Sequence, residues 1–238
     1  MAMRIFLFLL LSSSFAWAAT DLPRNLSSSD RTRMLQILGM GSAAKTLDNP
    51  YPLGGYSGVE VGLSSQFIPA EDLASLGDKT NDKGEYNYYT LNFGKGLYYN
   101  IDTMVYFAPF SQSEEVQTFG GQIRWGFYEA SFFPLTLTAT VYGGGANFQN
   151  LLGVSTFGTD LLATVTMDNV AIYVGGGRVR AAGKFYGGLT DTGETIEQDV
   201  VEDHTVFGIN VDVAKMFIAL QIDRYVDSMY SGKIGFRF

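Results

Sequence analysis

The sequence predicts an all-β fold: an antiparallel up-and-down β-barrel that crosses a membrane, with about ten strands and a range of roughly eight to twelve. Three observations carry this expectation. Segment after segment alternates apolar and polar residues with a period of two, the connections alternate between long and short, and the last segment, 230–238, keeps its alternation to the final residue. In that segment Gly232, Ile234, Phe236 and Phe238 share one face, and Lys233, Gly235 and Arg237 share the other.

The N-terminal end reads as an export signal. Arg4 gives a positive start, residues 5–11 form a short apolar run, and Ala16-Trp17-Ala18 fits the small-residue rule for cleavage. The run is far shorter than the ~20 residues a membrane helix needs, so residues 1–18 are expected to be removed. With no Cys after the cleavage point, a lipid anchor is not expected. Removing 18 residues from 238 leaves 220, enough for one large β domain. A hydrophobic fraction of 46% is too low for a helical membrane protein but allows a barrel with a polar interior. The 28 Gly, 14 Tyr and 18 Phe against 6 Pro suit many twisted strands with aromatic anchors. An exported chain without Cys must be stable without disulfides. The net charge of −8 becomes −9 once Arg4 leaves (15 basic against 24 acidic residues), which argues against a nucleic-acid partner.

Each strand is justified by its own alternation. Near 57–67, Val59, Val61 and Leu63 face away from Glu60, Gly62 and Ser64; near 86–94, Tyr89, Leu91 and Phe93 face away from Tyr88, Thr90 and Asn92. Near 99–108, Ile101, Val105 and Phe107 oppose Asp102, Met104 and Tyr106, and over 116–127 Phe119, Ile123, Trp125 and Phe127 oppose Gln122 and Arg124. The fifth strand interleaves Leu135, Leu137, Ala139 and Val141 with Thr136, Thr138 and Thr140. The sixth and seventh set Leu161, Ala163, Val165 and Met167 against Asp160, Leu162, Thr164 and Thr166, then Val170, Ile172 and Val174 against Ala171, Tyr173 and Gly175. The eighth and ninth set Thr205, Phe207, Ile209, Val211 and Val213 against Val206, Gly208, Asn210 and Asp212, then Ile218, Leu220 and Ile222 against Ala219, Gln221 and Asp223.

The odd-numbered connections, 68–85, 109–115, 143–155 and 178–203, are expected to be long polar loops, with 225–229 a shorter fifth. The even-numbered ones, 95–97, 128–133, 168–169 and 214–215, are short. A soluble sandwich has no reason to sort loop length by parity, whereas a membrane barrel has short turns on one side and longer loops on the other. Aromatic residues are expected in two girdles. Tyr98, Tyr99, Phe127, Tyr128, Phe132, Phe133, Phe217 and Phe238 fall at the short-turn rim; Phe67, Tyr86, Phe107, Phe110, Phe119, Phe157 and Phe207 fall at the other.

An export signal at one end and an alternating strand closed by Phe238 at the other make the chain resemble bacterial outer-membrane β-barrel proteins. The resemblance covers the signal and residues 56–238, and it is to an architecture class, not to a single family. It implies an outer-membrane location, short turns in the periplasm, and delivery by periplasmic chaperones to the barrel assembly machinery. That machinery would read Ile234, Phe236 and Phe238. It also implies external loops, above all 178–203, that meet outer-membrane lipid, lipopolysaccharide or other partners. Oligomeric state has no signature in the sequence.

Residues 19–55 precede the barrel as a periplasmic segment or as a plug folded into its lumen. Ser27-Ser-Ser-Asp30 offers an N-cap, Met34, Leu35 and Leu38 line one face of a short helix, and Gly39 can end it. Asn49-Pro-Tyr-Pro52 then imposes an extended or turn conformation before the first strand.

Few motifs carry chemistry. The letters Gly39-Met-Gly41-Ser-Ala-Ala44 imitate a dinucleotide fingerprint, but no strand precedes them and no βαβ unit follows. The glycine runs 143–145 and 175–177 lack the Lys-Ser/Thr of a phosphate loop and read as packed strand. One His and no Cys argue against zinc. Calcium or magnesium would have to use acidic loop residues, Glu71, Asp72, Asp78, Asp82 and Glu85 or Glu194, Glu197, Asp199, Glu202 and Asp203, which lack EF-hand spacing. No cofactor is expected. His204, beside Glu202 and Asp203, reads as a solvated residue at the base of the longest loop. The outer-membrane proteases called omptins set an Asp/His pair and a pair of acids near the rim; here the Asp-x-Asp pair is missing.

The inward face is the more informative one. Glu60, Asp102, Asp160, Asp212 and Asp223 point inward with Arg124, Lys233 and Arg237, and buried charges must pair or stay hydrated. Mixed signs predict an ion-pair network across a closed lumen, or the lining of a narrow, weakly cation-preferring pore. The function expected is a structural or surface-interaction barrel acting through its external loops and not an enzyme. The alternatives are a porin-like channel for ions or small solutes, and a rim hydrolase or protease using His204.

Overall fold

The computed structural model describes residues 22–50, 52–78, 85–108 and 116–238. The expected signal, residues 1–18, lies outside the described residues, as do 79–84, 109–115 and the girdle residue Phe110.

Ten strands run Val59–Pro69 (β1), Glu85–Gly96 (β2), Ile101–Phe107 (β3), Val116–Glu129 (β4), Leu135–Phe148 (β5), Leu152–Met167 (β6), Val170–Phe185 (β7), Ile196–Val213 (β8), Met216–Arg224 (β9) and Ser228–Arg237 (β10). Each pairs antiparallel with the next, and β1 closes on β10 in the register Glu60↔Arg237 to Phe67↔Tyr230. Closure gives every strand a neighbour on both sides, the condition for strands to survive in a medium that cannot hydrogen-bond them. Two turns are fixed by consecutive left-handed residues, Tyr99-Asn100 and Gln149-Asn150, the twist that a tight hairpin needs.

The predicted faces are the observed ones. Leu161 is 62% exposed on the outside of β6 while Thr164 on the inside is fully buried, and the other strands alternate likewise. The exposed apolar residues form a belt around the barrel. On β6 it runs from Phe157 to Met167, which at ~3.3 Å per residue and a tilt of about 40° is roughly 25 Å tall, the height of a bilayer's apolar core. Tyr98, Tyr99, Phe127, Tyr128, Phe132, Phe133 and Phe238 ring the short-turn end, and Phe107, Phe119, Phe157 and Phe207 ring the other, all exposed.

Two girdle assignments are corrected. Phe217 is fully buried and lies under Lys233 and Arg237, and Tyr86 is buried edge-on against Phe148. Each has the parity of the inner face, which decides its direction before aromaticity does. Two loop expectations also change. Residues 143–155 and 178–203 are mostly strand: β5 reaches Phe148, β6 starts at Leu152, β7 reaches Phe185 and β8 starts at Ile196. These polar stretches read as loops because their outer faces lie above the apolar belt, where Arg178, Arg180 and Lys184 on β7 pair with Asp203, Asp199 and Glu197 on β8. The wall is therefore uneven, tall at β5–β8 and low at β9–β10, whose connection is only 225–227.

Residues 30–50, with 52 and 53, lie inside this wall, and exposed residues flank them at either end. Ser27 caps a helix, Ser28–Met34 (α1), in a capping box with Asp30, and a π-helical turn, Leu35–Gly39, follows. One further helical stretch carries the chain to Gly41, two residues past the glycine expected to end it. Met34, Leu35, Leu38 and Met40 bury against Phe148, Val154, Val179, Ala181 and Phe185 of the tall wall and against Ile68 of β1. The chain then descends through the lumen to a short helical turn at Gly55–Ser57 and enters β1 from the short-turn end.

Candidate functional site in the barrel lumen

The inward charges gather in two layers, and the plug contributes to both. In the layer nearer the short turns, Arg124 on β4 is 1% exposed and pairs with Asp48 of the plug, with Asp102 of β3 at 3.8 Å. Lys233 of β10 donates to Glu60 of β1 at 2.6 Å and stands 3.8 Å from Asp48. Arg237 bridges Glu60 at 2.8 Å and Asp212 of β8 at 3.0 Å. Asp102 also accepts the backbone N–H of Leu53 through both oxygens, at 3.2 and 3.1 Å. This layer thus joins the barrel seam, β1 to β10, to the plug through one connected set of charges. Such a set resists the loss of any member, because the remainder keeps its burial and loses its counter-charge.

The second layer lies closer to the loops. His204 places Nε2 2.7 Å from Asp160 Oδ1 and Nδ1 3.9 Å from Asp223, while the Tyr142 hydroxyl donates to Asp160 at 3.2 Å. Its ring stacks on Tyr225 at 4.7 Å with a 4° tilt. Lys45 of the plug reaches Tyr225 Oη at 3.3 Å and Asp223 at 3.9 Å. Gln221 links the layers to the backbone: its Oε1 accepts from Leu47 N–H and from the Tyr173 hydroxyl at 2.8 Å, and its Nε2 donates to Asp223 at 2.9 Å. Leu47, buried at a left-handed φ of 47°, is held in that conformation by this bond.

Strand register explains why His204 meets Asp160. Both pair directly with Gly177, one on each side of β7. A Cβ at Gly177 would run into the Thr159 carbonyl and the Asp160 carboxylate, so only glycine lets the two side chains close over that strand.

All eight predicted lumen residues point inward, but they do not pair across an empty lumen. Asp48 and Lys45, which the sequence reading passed over, sit between them. Two charged residues in an otherwise small and apolar stretch, 40–50, facing an inner wall rich in charge, were the signal available. His204 is corrected: it is 5% exposed, inside β8, and not a solvated loop residue. Counting back in twos from Asp212 and Asn210 would have placed it inward. Ile234, Phe236 and Phe238 lie on the outer face.

Above the layers, the mouth is tied shut by polar clamps. Arg31 donates to the Leu26 carbonyl at 2.7 Å, to Gln198 at 3.2 Å and to Asp191 at 3.3 Å. Arg33 pairs with Asp72 after β1 and with Asp227 between β9 and β10, the latter at 3.0 Å. Partial burial works against the Arg33 charge, but those two carboxylates outweigh it and raise its pKa above the ordinary value. Gln36 donates to Glu202 at 2.8 Å. Among the described residues no three acidic or histidine side chains come together as a metal site would require.

No protein-family model matches this chain, and no curated protein matches it. Among solved structures it is similar to the N-terminal β-barrel domain of OprF from Pseudomonas aeruginosa, at 10% identity and a TM-score of 0.42, over 77% of this chain and 99% of that one. It is similar to Ail, the attachment invasion locus protein of Yersinia pestis, at 14% identity and a TM-score of 0.30, over 76% and 97%. A third similarity is to a deletion mutant of TodX, a monoaromatic hydrocarbon channel, at 12% identity and a TM-score of 0.35, over 86% and 74%.

Proposed function

We propose that this protein is a closed outer-membrane barrel that acts through its loop face, with the tall β5–β8 wall and the clamped mouth as the interacting surface. The observation that supports this reading most is the plug: residues 41–50 and 52–54 occupy the lumen and are bonded to the wall at Tyr88, Gln221, Asp102 and Thr138. A barrel filled in this way offers solutes no way through at rest, which leaves its outer and loop-end surfaces to meet partners. Immediately above the apolar belt, an open groove of about 700 Å³ lies between Phe119, Gly145, Ala182, Lys184 and Asp199. Lipopolysaccharide suits it: acyl chains against the belt, and phosphates competing with Asp199 and Glu197 for Arg180 and Lys184.

The reading as a rim hydrolase has less support. Nucleophilic catalysis needs a hydroxyl or thiol activated by the imidazole, and the described hydrogen-bond partners of His204 are Asp160 and Tyr142, both buried. Planar-bilayer recording separates the closed barrel from the channel. The refolded chain should give no steady current in a salt gradient. Regular single-channel steps with cation preference would replace the proposal by a pore.

A further inference from the structure

We infer that the N-terminal segment from Leu22 onward threads the barrel from the loop face to the short-turn face, so that Leu22 lies where the loops are. Placing that face outside rests on the function proposed above; the threading itself does not.

Both ends of the thread are fixed. At the loop end, Leu26 N–H donates to the Leu189 carbonyl at 2.8 Å, and Leu26 forms a parallel bridge with Thr190 in the β7–β8 connection. Asp78 N–H, in the β1–β2 connection, donates to the Arg24 carbonyl at 3.0 Å, and Asn25 donates to the Asp78 carboxylate at 2.7 and 2.8 Å. Leu22 N–H lies 3.4 Å from Gln149 Oε1 in the β5–β6 connection. Three loop-end connections therefore hold residues 22–26. At the opposite end, Leu53 is bound by Asp102 near the start of β3, and Gly58 leads directly into β1.

Between these anchors the register of the thread falls steadily. Met40 and Gly41 lie against Ile68 and Tyr88 near the loop ends of β1 and β2; Lys45 and Leu47 meet Tyr225 and Gln221; Asp48 meets Arg124; Pro50 meets Thr138. Residues 42–54 reach up to roughly 40 Å when extended, more than the roughly 25 Å belt, so the crossing needs no stretching.

The consequence is an unusual sidedness. Barrels with an even strand number start and end on the same side, and here β1 does begin on the side where β10 ends. The extra pass of the plug sends the N-terminal segment to the other side. It also makes α1 part of the loop face, clamped by Arg31 and Arg33, so that a partner docking there meets the N-terminal segment and the loops together. Lys233 pairs both with Glu60 across the β1–β10 seam and with Asp48 of the plug, so one side chain ties the thread to the seam.

The chain contains no Cys, so single-cysteine labelling is free of background. Ser29→Cys in α1, Thr192→Cys in the β7–β8 connection and Ser131→Cys in the β4–β5 turn each replace an exposed residue. Full-length variants that keep the heat-modifiable mobility of a folded barrel are treated with a membrane-impermeant maleimide on intact cells and again after permeabilisation. Ser28→Cys, also exposed, stands in if Ser29→Cys does not fold. Threading and orientation both hold if positions 29 and 192 label on intact cells and position 131 only after permeabilisation. If 29 and 192 are both shielded while 131 labels on intact cells, threading stands and the orientation falls. Labelling of 29 together with 131, and opposite to 192, overturns the threading.

Discussion

Replacing Arg124 by Met tests the charged layer at its centre. Methionine keeps most of the apolar stem and removes the guanidinium, leaving Asp48 and Asp102 buried without their shared counter-charge. The layer holds the carboxylates of Asp48, Glu60, Asp102 and Asp212 against Arg124, Lys233 and Arg237. One excess negative charge would therefore become two, and only Lys233, at 3.8 Å, would remain beside Asp48. Removing one partner of a buried pair costs about 3–5 kcal/mol, which at 1.4 kcal/mol per tenfold is roughly a hundred- to several-thousand-fold in the folding equilibrium. The assay is equilibrium denaturant unfolding of the processed chain in lipid vesicles, followed by Trp fluorescence. Of the two Trp, Trp17 belongs to the expected signal, so Trp125, next to the mutated residue, reports alone. Adding Asp48→Asn should recover part of the loss, because a neutralised pair costs less than an orphaned charge. A single mutant within about 0.5 kcal/mol of the parent, or a double mutant whose cost is the plain sum of the two, would refute the idea of a connected buried layer.

Three further outcomes follow from the same geometry. Gly177→Ala should weaken the barrel markedly and separate Asp160 from His204, while Gly153→Ala, where an added Cβ meets nothing, should be close to neutral in heat-modifiability. Arg33→Ala removes a clamp whose side chain is partly exposed and whose partner Asp72 is largely so, so stability should fall by about 1 kcal/mol, yet α1 should become more sensitive to trypsin at Arg31 than in the parent, an effect that high salt should reproduce in the parent. Phe238→Ser should slow barrel assembly in cells, read as delayed appearance of the heat-modifiable form, with little change in unfolding midpoint. The side chain is 63% exposed, and the backbone bonds that Phe238 exchanges with Val59 survive the substitution.

The fold was legible because a barrel wall obeys a local rule. Each side chain faces lipid or lumen by parity alone, so Leu135 to Val141 or Ile218 to Ile222 declare their faces without reference to any other strand. The same rule, applied strictly, placed Glu60, Asp102, Arg124 and Lys233 inward. It failed where composition was allowed to override it. Phe217 and Tyr86 were sent outward for being aromatic, and His204 was read as loop because its neighbours are acidic.

By itself the sequence determined the faces of the strands and the short-turn end, since period-two alternation and turn chemistry are written residue by residue; it brought the strand number only to between eight and twelve, and the closure of β1 on β10 fixed it at ten. It could also show that the lumen would be charged. Only the tertiary structure decided what those charges hold. Lys45 and Asp48 lie more than seventy residues from Arg124 and further still from Asp223 and Lys233, so their pairings are set by how the barrel closes around residues 22–58 and not by any spacing along the chain. The height of the wall was likewise out of reach: above the membrane both faces of a strand can be polar, alternation fades, and a strand at 178–185 or 196–203 looks like a loop until its partner is known.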